Sequence, residues 1–429
     1  MHSSTMMQRS SGSLLPRSHA ARSHAARARS QQRTSAAAAA APKASSSPIF
    51  VTTVGKGGVG KTHAALALSI SQASQNKRVL YLSTHADASP EYALQMPPPT
   101  RLPTTPTAAA PELGLPSTLF LQRIESTALL DDAYEEAKKA DADFGISTAI
   151  KTATNDSANF ELPKKKTIPL VAGMDPWLLL GYLLRRVIHS DKYYDVVVVD
   201  GLSTTEAARL AATPVRAKWL SERARDEVKA SDAGRIVLPT VEMAASSVLT
   251  DNATTGGNSD YERLRNLLDD AADLVTNPKR FIGVLVTQAG NAAASDAAAR
   301  AWGALAIAGA PCGAVWMRGG KEDDGEKFSP LVSIATAENA SLSDLVATVP
   351  DSFLDDAVST SVPPPLEVSS DCLRVHLPLV PKTDVKVSLS GSEVVVEACG
   401  SRRAIPLPAG RSKVAGAKAD NNVLEIKLE

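Results

Sequence analysis

Residues 49–74, IFVTTVGKGGVGKTHAALALSISQAS, constrain the architecture more tightly than any other stretch of the chain. A short β-rich apolar run leads into a glycine turn, and the turn opens onto a segment apolar along most of its length. A strand, a turn and a buried helix in that order begin an α/β domain. Gly55 to Thr62 satisfies GxxxxGK[ST] in the strand-to-helix context that motif requires. Glycines at 55, 57, 58 and 60 let the backbone N–H groups of the loop, Val59 included, turn inward around phosphate oxygens. The helix end that follows adds the positive end of its dipole. Lys61 is then placed to reach the β- and γ-phosphates, and the Thr62 hydroxyl to hold Mg²⁺. A glycine turn with no ligand is the bland alternative, and the flanking strand and helix weigh against it.

The rest of the chain continues the alternation. Strands are expected at 78–84 (RVLYLST), around STLFLQRI, at 194–200 (YDVVVVD), and at RFIGVLVT and CGAVWM. Helices are expected at LLDDAYEEAKKADADFG, ending at Gly145, and at DPWLLLGYLLRRVIHS, YERLRNLLDDAADLV and AASDAAARAWGALAIAG. YDVVVVD is apolar on both faces, as a central parallel strand must be. The expected fold class is α/β, a doubly wound, mostly parallel sheet over residues 48–350. The stretch 97–116, with its seven prolines, reads as a surface loop, and 351–370 as a linker. From 371 to 429 short alternating segments separated by turn residues predict a small all-β domain.

Composition bounds the function classes. With 429 residues and 44% apolar content the chain can bury a sizeable core. Formal net charge is zero, which argues against nucleic-acid binding by bulk charge. The balance is uneven, since residues 1–47 hold six Arg, one Lys and no acid, and the first acidic residue is Asp87. That Arg-, Ser- and Ala-rich leader has the composition of an organelle transit peptide, the alternative being a disordered basic tail. The abundance of Ser and Ala favours the chloroplast stroma over the mitochondrion or cytosol. No run of 18 apolar residues suggests a membrane span. Cys312, Cys372 and Cys399 are too scattered for a disulfide framework or a zinc site, and read as small buried residues.

Lys56, the second lysine of KGGVGKT, narrows the family. The loop resembles that of the Mrp, MinD and ArsA ATPases. YDVVVVDGLSTTEAARLAATP is similar to the second switch of the ArsA branch, with Asp200, Arg209 and Pro214 at matching places, and VAGMDPWLLLGYL resembles the segment preceding it. LRVHLPL and its successors resemble the α-crystallin-type module appended to some ArsA-like proteins, through RR-x-I-x-LP and V-x-GAK-x-x-NNVLEIK. The chain is therefore identified as resembling the ArsA and tail-anchored-protein-targeting ATPases, in a photosynthetic-lineage branch. The resemblance implies an ATP-binding ATPase that uses Mg²⁺ held through Thr62 and Asp200. It also implies a homodimer closing on ATP, in which Lys56 reaches the partner's phosphates as a charge stabiliser. Its client would be a hydrophobic protein segment or an apolar ligand, with a possible peripheral membrane-targeting role.

Three departures bear on activity. STHADASPEYAL stands where the family's first switch carries the Asp that positions water, so His85 occupies that place, and Asp87 lies two residues on as a substitute. The second switch lacks its DTAPTGH core. VWMRGG has no Asn where the family reads adenine. Slow or lost hydrolysis with ATP binding retained is one expectation, and a nucleotide-gated scaffold or a chaperone-like interaction protein is the alternative. Separated cysteines weigh against a soft metalloid site. KWLSERARDEVKASDAG reads as a solvated helix rather than a Met- and Leu-rich client groove.

Overall fold

The computed structural model describes residues 48–144, 147–148, 164–169, 173–188, 193–229, 259–360 and 362–429. The leader and the helix end expected at Gly145 lie outside the described residues. The fold begins with strand β1 (Ile49–Val54), five of whose six residues are buried, followed by the glycine loop and helix α1 (Lys61–Ser74). Ten consecutive residues of α1, from Ala64 to Ala73, are buried, so it is a core helix as its apolar run demands.

Strands β2 (Val79–Ser83), β4 (Leu119–Arg123), β5 (Val196–Asp200), β6 (Phe281–Gln288), β7 (Cys312–Arg318) and β8 (Val332–Thr336) join β1 in a parallel sheet, and β3 (Thr107–Ala108) adds an antiparallel edge. The order is β3-β4-β2-β5-β1-β6-β7-β8. Both faces are covered. Along β5, Val196 and Val198 enter one core and Val197 and Val199 the other. Period-two geometry sends neighbours to opposite faces, so a continuous valine run is stable only between two helical layers.

One layer contains α1, α2 (Ser89–Ala93), α8 (Leu342–Thr348) and α9 (Phe353–Ser359). Into the other go α4 (Asp175–Tyr182, continued by a wider π turn Leu183–Ile188), α5 (Thr204–Lys229), α6 (Ser259–Thr276) and α7 (Ala292–Ala308), with α3 (Ser126–Phe144) against α4. The sheet is thus doubly wound, and β1 lies at its centre with the loop at its C-terminal end.

Three local expectations change. The proline-rich 97–116 is not wholly surface loop, because Leu102 and Ala109 are buried and β3 pairs with β4. The stretch 351–370 holds α9, whose Phe353, Leu354 and Ala357 pack on the sheet, and β9 (Leu366–Val368), which pairs with the first strand of the β-module. Flanking prolines hide a short but sufficient apolar spacing there. Strand β8 and helix α8 were not anticipated. The latter carries a legible signature, a capping box in which the Ser341 side chain takes the Asp344 N–H and Asp344 returns the bond.

The C-terminal module consists of two antiparallel sheets, β14-β15-β10-β9 and β11-β12-β13, where β10 is Cys372–His376, β11 Lys386–Ser390, β12 Glu393–Ala398, β13 Ser401–Pro406, β14 Val414–Asp420 and β15 Val423–Leu428. Leu373, Val375, Val394, Val396, Ile405, Leu424 and Ile426 form their shared core. Ile307 of α7 belongs to that same core, and the ring of Trp302, also on α7, meets His376 edge-on at 6.1 Å. The module is packed onto the ATPase-like body rather than tethered beside it, and the described residues from 48 to 429 belong to one compact unit. Cys312 is buried as expected, but Cys372 and Cys399 are only partly so.

Candidate nucleotide site

Gly55 turns the chain sharply away from the end of β1. Its φ is +146°, and a Cβ there would lie 2.2 Å from the Val286 carbonyl oxygen of β6, so no other residue fits. Beyond it Gly57 and Gly58 face open space. Helix α1 starts at Lys61 with no side chain capping its first N–H groups and no acid in its first turn. An uncapped helix end is a set of unpaired donors, and an anion is the natural partner. Lys61 folds back over the loop, its Nζ donating to the carbonyls of Gly55 (3.3 Å) and Lys56 (3.2 Å). Burial holds its ammonium below the usual lysine range, against the opposing pull of Asp200. Lys56 itself is exposed, and its side chain has no partner among the described residues.

Asp200 ends the central strand β5 and is fully buried. Its Oδ2 accepts from the Tyr81 hydroxyl (2.7 Å) and lies 3.1 Å from His85 Nε2, while its Oδ1 has no hydrogen-bond partner among the described residues. His85 Nε2 also lies 2.9 Å from Thr62 Oγ1. The imidazole therefore sits between the two groups that the sequence nominates for a metal. Its hydrogen bond with Asp200 raises its proton affinity, opposed by burial. Gly201, at φ +99°, makes this possible, because a Cβ would stand 2.7 Å from Thr84 Oγ1 and 2.9 Å from the His85 nitrogen.

Asp87 is placed differently. Its carboxylate is mostly exposed, accepts from the Ser89 N–H (2.9 Å) and lies 3.8 Å from His85 Nδ1, on the ring edge away from Thr62. Bonds from Ser89 hold its carboxyl below the usual range. Thr62, His85 and Asp200 converge, then, while Asp87 joins them only through His85.

Sequence reasoning missed three residues here. Tyr81 is fully buried, with its ionisation pushed up by burial and by Asp200. Buried Arg123 donates to the carbonyls of Ala86 (2.7 Å) and Asp87 (2.9 Å) and meets Glu91 (3.3 Å), pinning the His85 loop. An arginine ending a short strand that begins Leu-Phe-Leu was the available signal. Arg318 stands beside Gly60 with its Nε bonded to the Glu338 carbonyl (2.5 Å), in the VWMRGG stretch that lacks an Asn. Residues 218–223 of KWLSERARDEVKASDAG are exposed or part-exposed, in line with its reading as a solvated helix, yet one of them also reaches the β-module. Trp219 donates from Nε1 to Glu393 of the β-module (2.5 Å), so this face of α5 turns toward the module.

The residues fit a nucleotide and its cation in three respects: the glycine cradle, the uncapped α1 end with Lys61, and the unpartnered, buried Asp200 oxygen near Thr62. Sheet and loop together define a P-loop nucleotide-binding protein of the doubly wound class, carrying an antiparallel β-module. The sequence profile of the anion-transporting ATPases matches residues 48–292, and that of the HSP20-like domain found in ArsA matches 370–428. The first match spans more than half of the 429 residues, and the chain belongs to the ArsA-type ATPase family. No curated protein matches the chain.

Proposed function

We propose that this chain binds ATP with Mg²⁺ at Gly55–Thr62 and closes as a homodimer, coupling nucleotide state to a client that is a hydrophobic protein segment or an apolar ligand. The observation that carries the proposal is the uncapped start of α1 behind a glycine cradle, with Lys61 folded over the loop and the free Asp200 Oδ1 nearby. Thr62 and Asp200 would hold the metal, which when bound neutralises phosphate charge. Lys61 would exchange its loop carbonyls for phosphate oxygens. Lys56, exposed at the loop tip, is free to meet a facing subunit's phosphates, whose charge would offset its repulsion from Lys61. Helix α5 supports coupling, since it begins four residues after Asp200 and carries Trp219 to the β-module.

Calorimetry tests the site. Lys61→Ala should abolish ATP binding, and unchanged affinity would remove the assignment. Sedimentation with a non-hydrolysable ATP analogue tests the dimer: Lys56→Ala should leave ADP binding intact and weaken closure about tenfold or more, on the order of 1.4 kcal/mol. Closure equal to wild type would make Lys56 an ordinary surface charge.

A second reading is a nucleotide-gated scaffold with little hydrolysis, favoured by His85 bridging Thr62 and Asp200 where a water-positioning carboxylate is expected. Steady-state phosphate release separates the two. For an organelle transit peptide the support is the Arg-rich, acid-free leader, and for the chloroplast stroma its abundance of Ser and Ala; N-terminal sequencing of native protein should show it removed. An intact Met1 would reject import with cleavage.

A further inference from the structure

A cleft of about 830 Å³ opens between α5, the end of α7 and the β-module. Its volume falls in the range of small-molecule sites. The apolar wall holds Trp177, Trp219 and Leu220, which are 47%, 39% and 54% exposed. Large apolar side chains clustered in this way are costly to leave in water unless something covers them. Trp219 is held rigid by its bond to Glu393, with the Arg223 guanidinium 5.3 Å from its ring centroid.

The opposite wall is cationic. From the β-module Lys386, Arg402 and Arg403 line it against two carboxylates, Asp384 and Glu397, and α5 adds Arg216 from the side of Trp219. Arg402 is already paired with Glu397 at 2.5 Å. Arg403 is not paired: its Nη1 is buried with no hydrogen-bond partner among the described residues. Burial alone pushes its ionisation down to about 10, so it remains a cation at neutral pH. A buried, charged donor without an acceptor is expensive, and an anion would satisfy it.

We propose that this cleft binds an amphipathic carboxylate, a small molecule with an extended apolar body and one anionic head. The body lies against Trp177, Trp219 and Leu220, and the head accepts from Arg403. This goes beyond the nucleotide reading and needs no nucleotide for its test, so either can fail alone.

The test uses the full chain without nucleotide, with dodecanoate below its micelle-forming concentration as probe and dodecanol as the neutral comparator. Binding is followed by calorimetry and tryptophan emission. Dodecanoate should bind one per chain, change the emission, and bind at least about tenfold more tightly than dodecanol. Arg403→Gln should remove that preference and leave dodecanol binding in place. Should Arg403→Gln fail to fold, Leu220→Glu decides, since it alters an exposed side chain and sets a negative charge in the apolar wall. It should weaken dodecanoate by about tenfold or more at an unchanged melting temperature. The proposal is overturned if dodecanoate does not bind, if alcohol and acid bind alike, or if neither substitution alters the affinity. In the last case Arg403 serves only the carbonyl end of α7, beside Gly309.

Discussion

His376 offers a quantitative test of how the β-module is held. It is buried on β10 with its ring edge-on to Trp302 of α7, and burial pushes its ionisation down to about 4. In the unfolded chain the imidazole regains its ordinary value of about 6.5. The folded state thus resists a proton that the unfolded state accepts, and folding stability must fall as pH drops from about 6.5 toward 4. Above that window both states hold a neutral ring and the effect vanishes. Linkage between the two values gives a loss of about 2 kcal/mol between pH 7 and pH 5 from this one residue. Urea unfolding at pH 7, 6 and 5, followed by circular dichroism, measures it. Carboxylates contribute their own slope, so the reference is His376→Phe, which keeps an aromatic ring against Trp302 and cannot titrate. Wild type should lose about 2 kcal/mol more than the variant over that interval. If the two curves run parallel, His376 protonates as readily folded as unfolded, and the packing of the module on α7 is looser than described.

Three further substitutions probe the nucleotide site. Gly55→Ala should destabilise by about 3 kcal/mol and abolish nucleotide binding, since the new Cβ meets the Val286 carbonyl at 2.2 Å from a left-handed backbone; a melt and affinity like wild type would show that the loop does not turn as described. Tyr81→Phe removes a buried donor to Asp200 and should cost about 2 kcal/mol in urea unfolding, whereas a change under about 0.5 kcal/mol would mean the 2.7 Å bond carries little. His85→Asp places a carboxylate beside Thr62 and should raise phosphate release; a rate no higher than wild type would free His85 from blame for slow turnover.

Local pattern was enough for much of this protein. The valine run of β5 requires two covered faces, the GxxxxGK[ST] spacing requires a phosphate-sized turn, and short alternating segments after residue 371 require antiparallel sheets. Each is a statement about neighbours in the chain, where periodicity and backbone sterics act directly. Lys61 and Thr62 were legible for that reason. What lies between distant segments was not. His85, Thr62 and Asp200 are 23 and 115 residues apart in the two pairings, and only the sheet order that sets β2 beside β5 brings them within hydrogen-bonding distance. Tyr81 and Arg123 looked like ordinary strand residues until that order placed them beside Asp200 and the His85 loop. Trp219 and Leu220 sit in a polar helix whose own periodicity says solvent. The β-module, folding 174 residues later, supplies Glu393 and the cationic wall that make their face a cleft. A side chain's surroundings are fixed by which elements dock against it, and docking is a property of the whole packed chain.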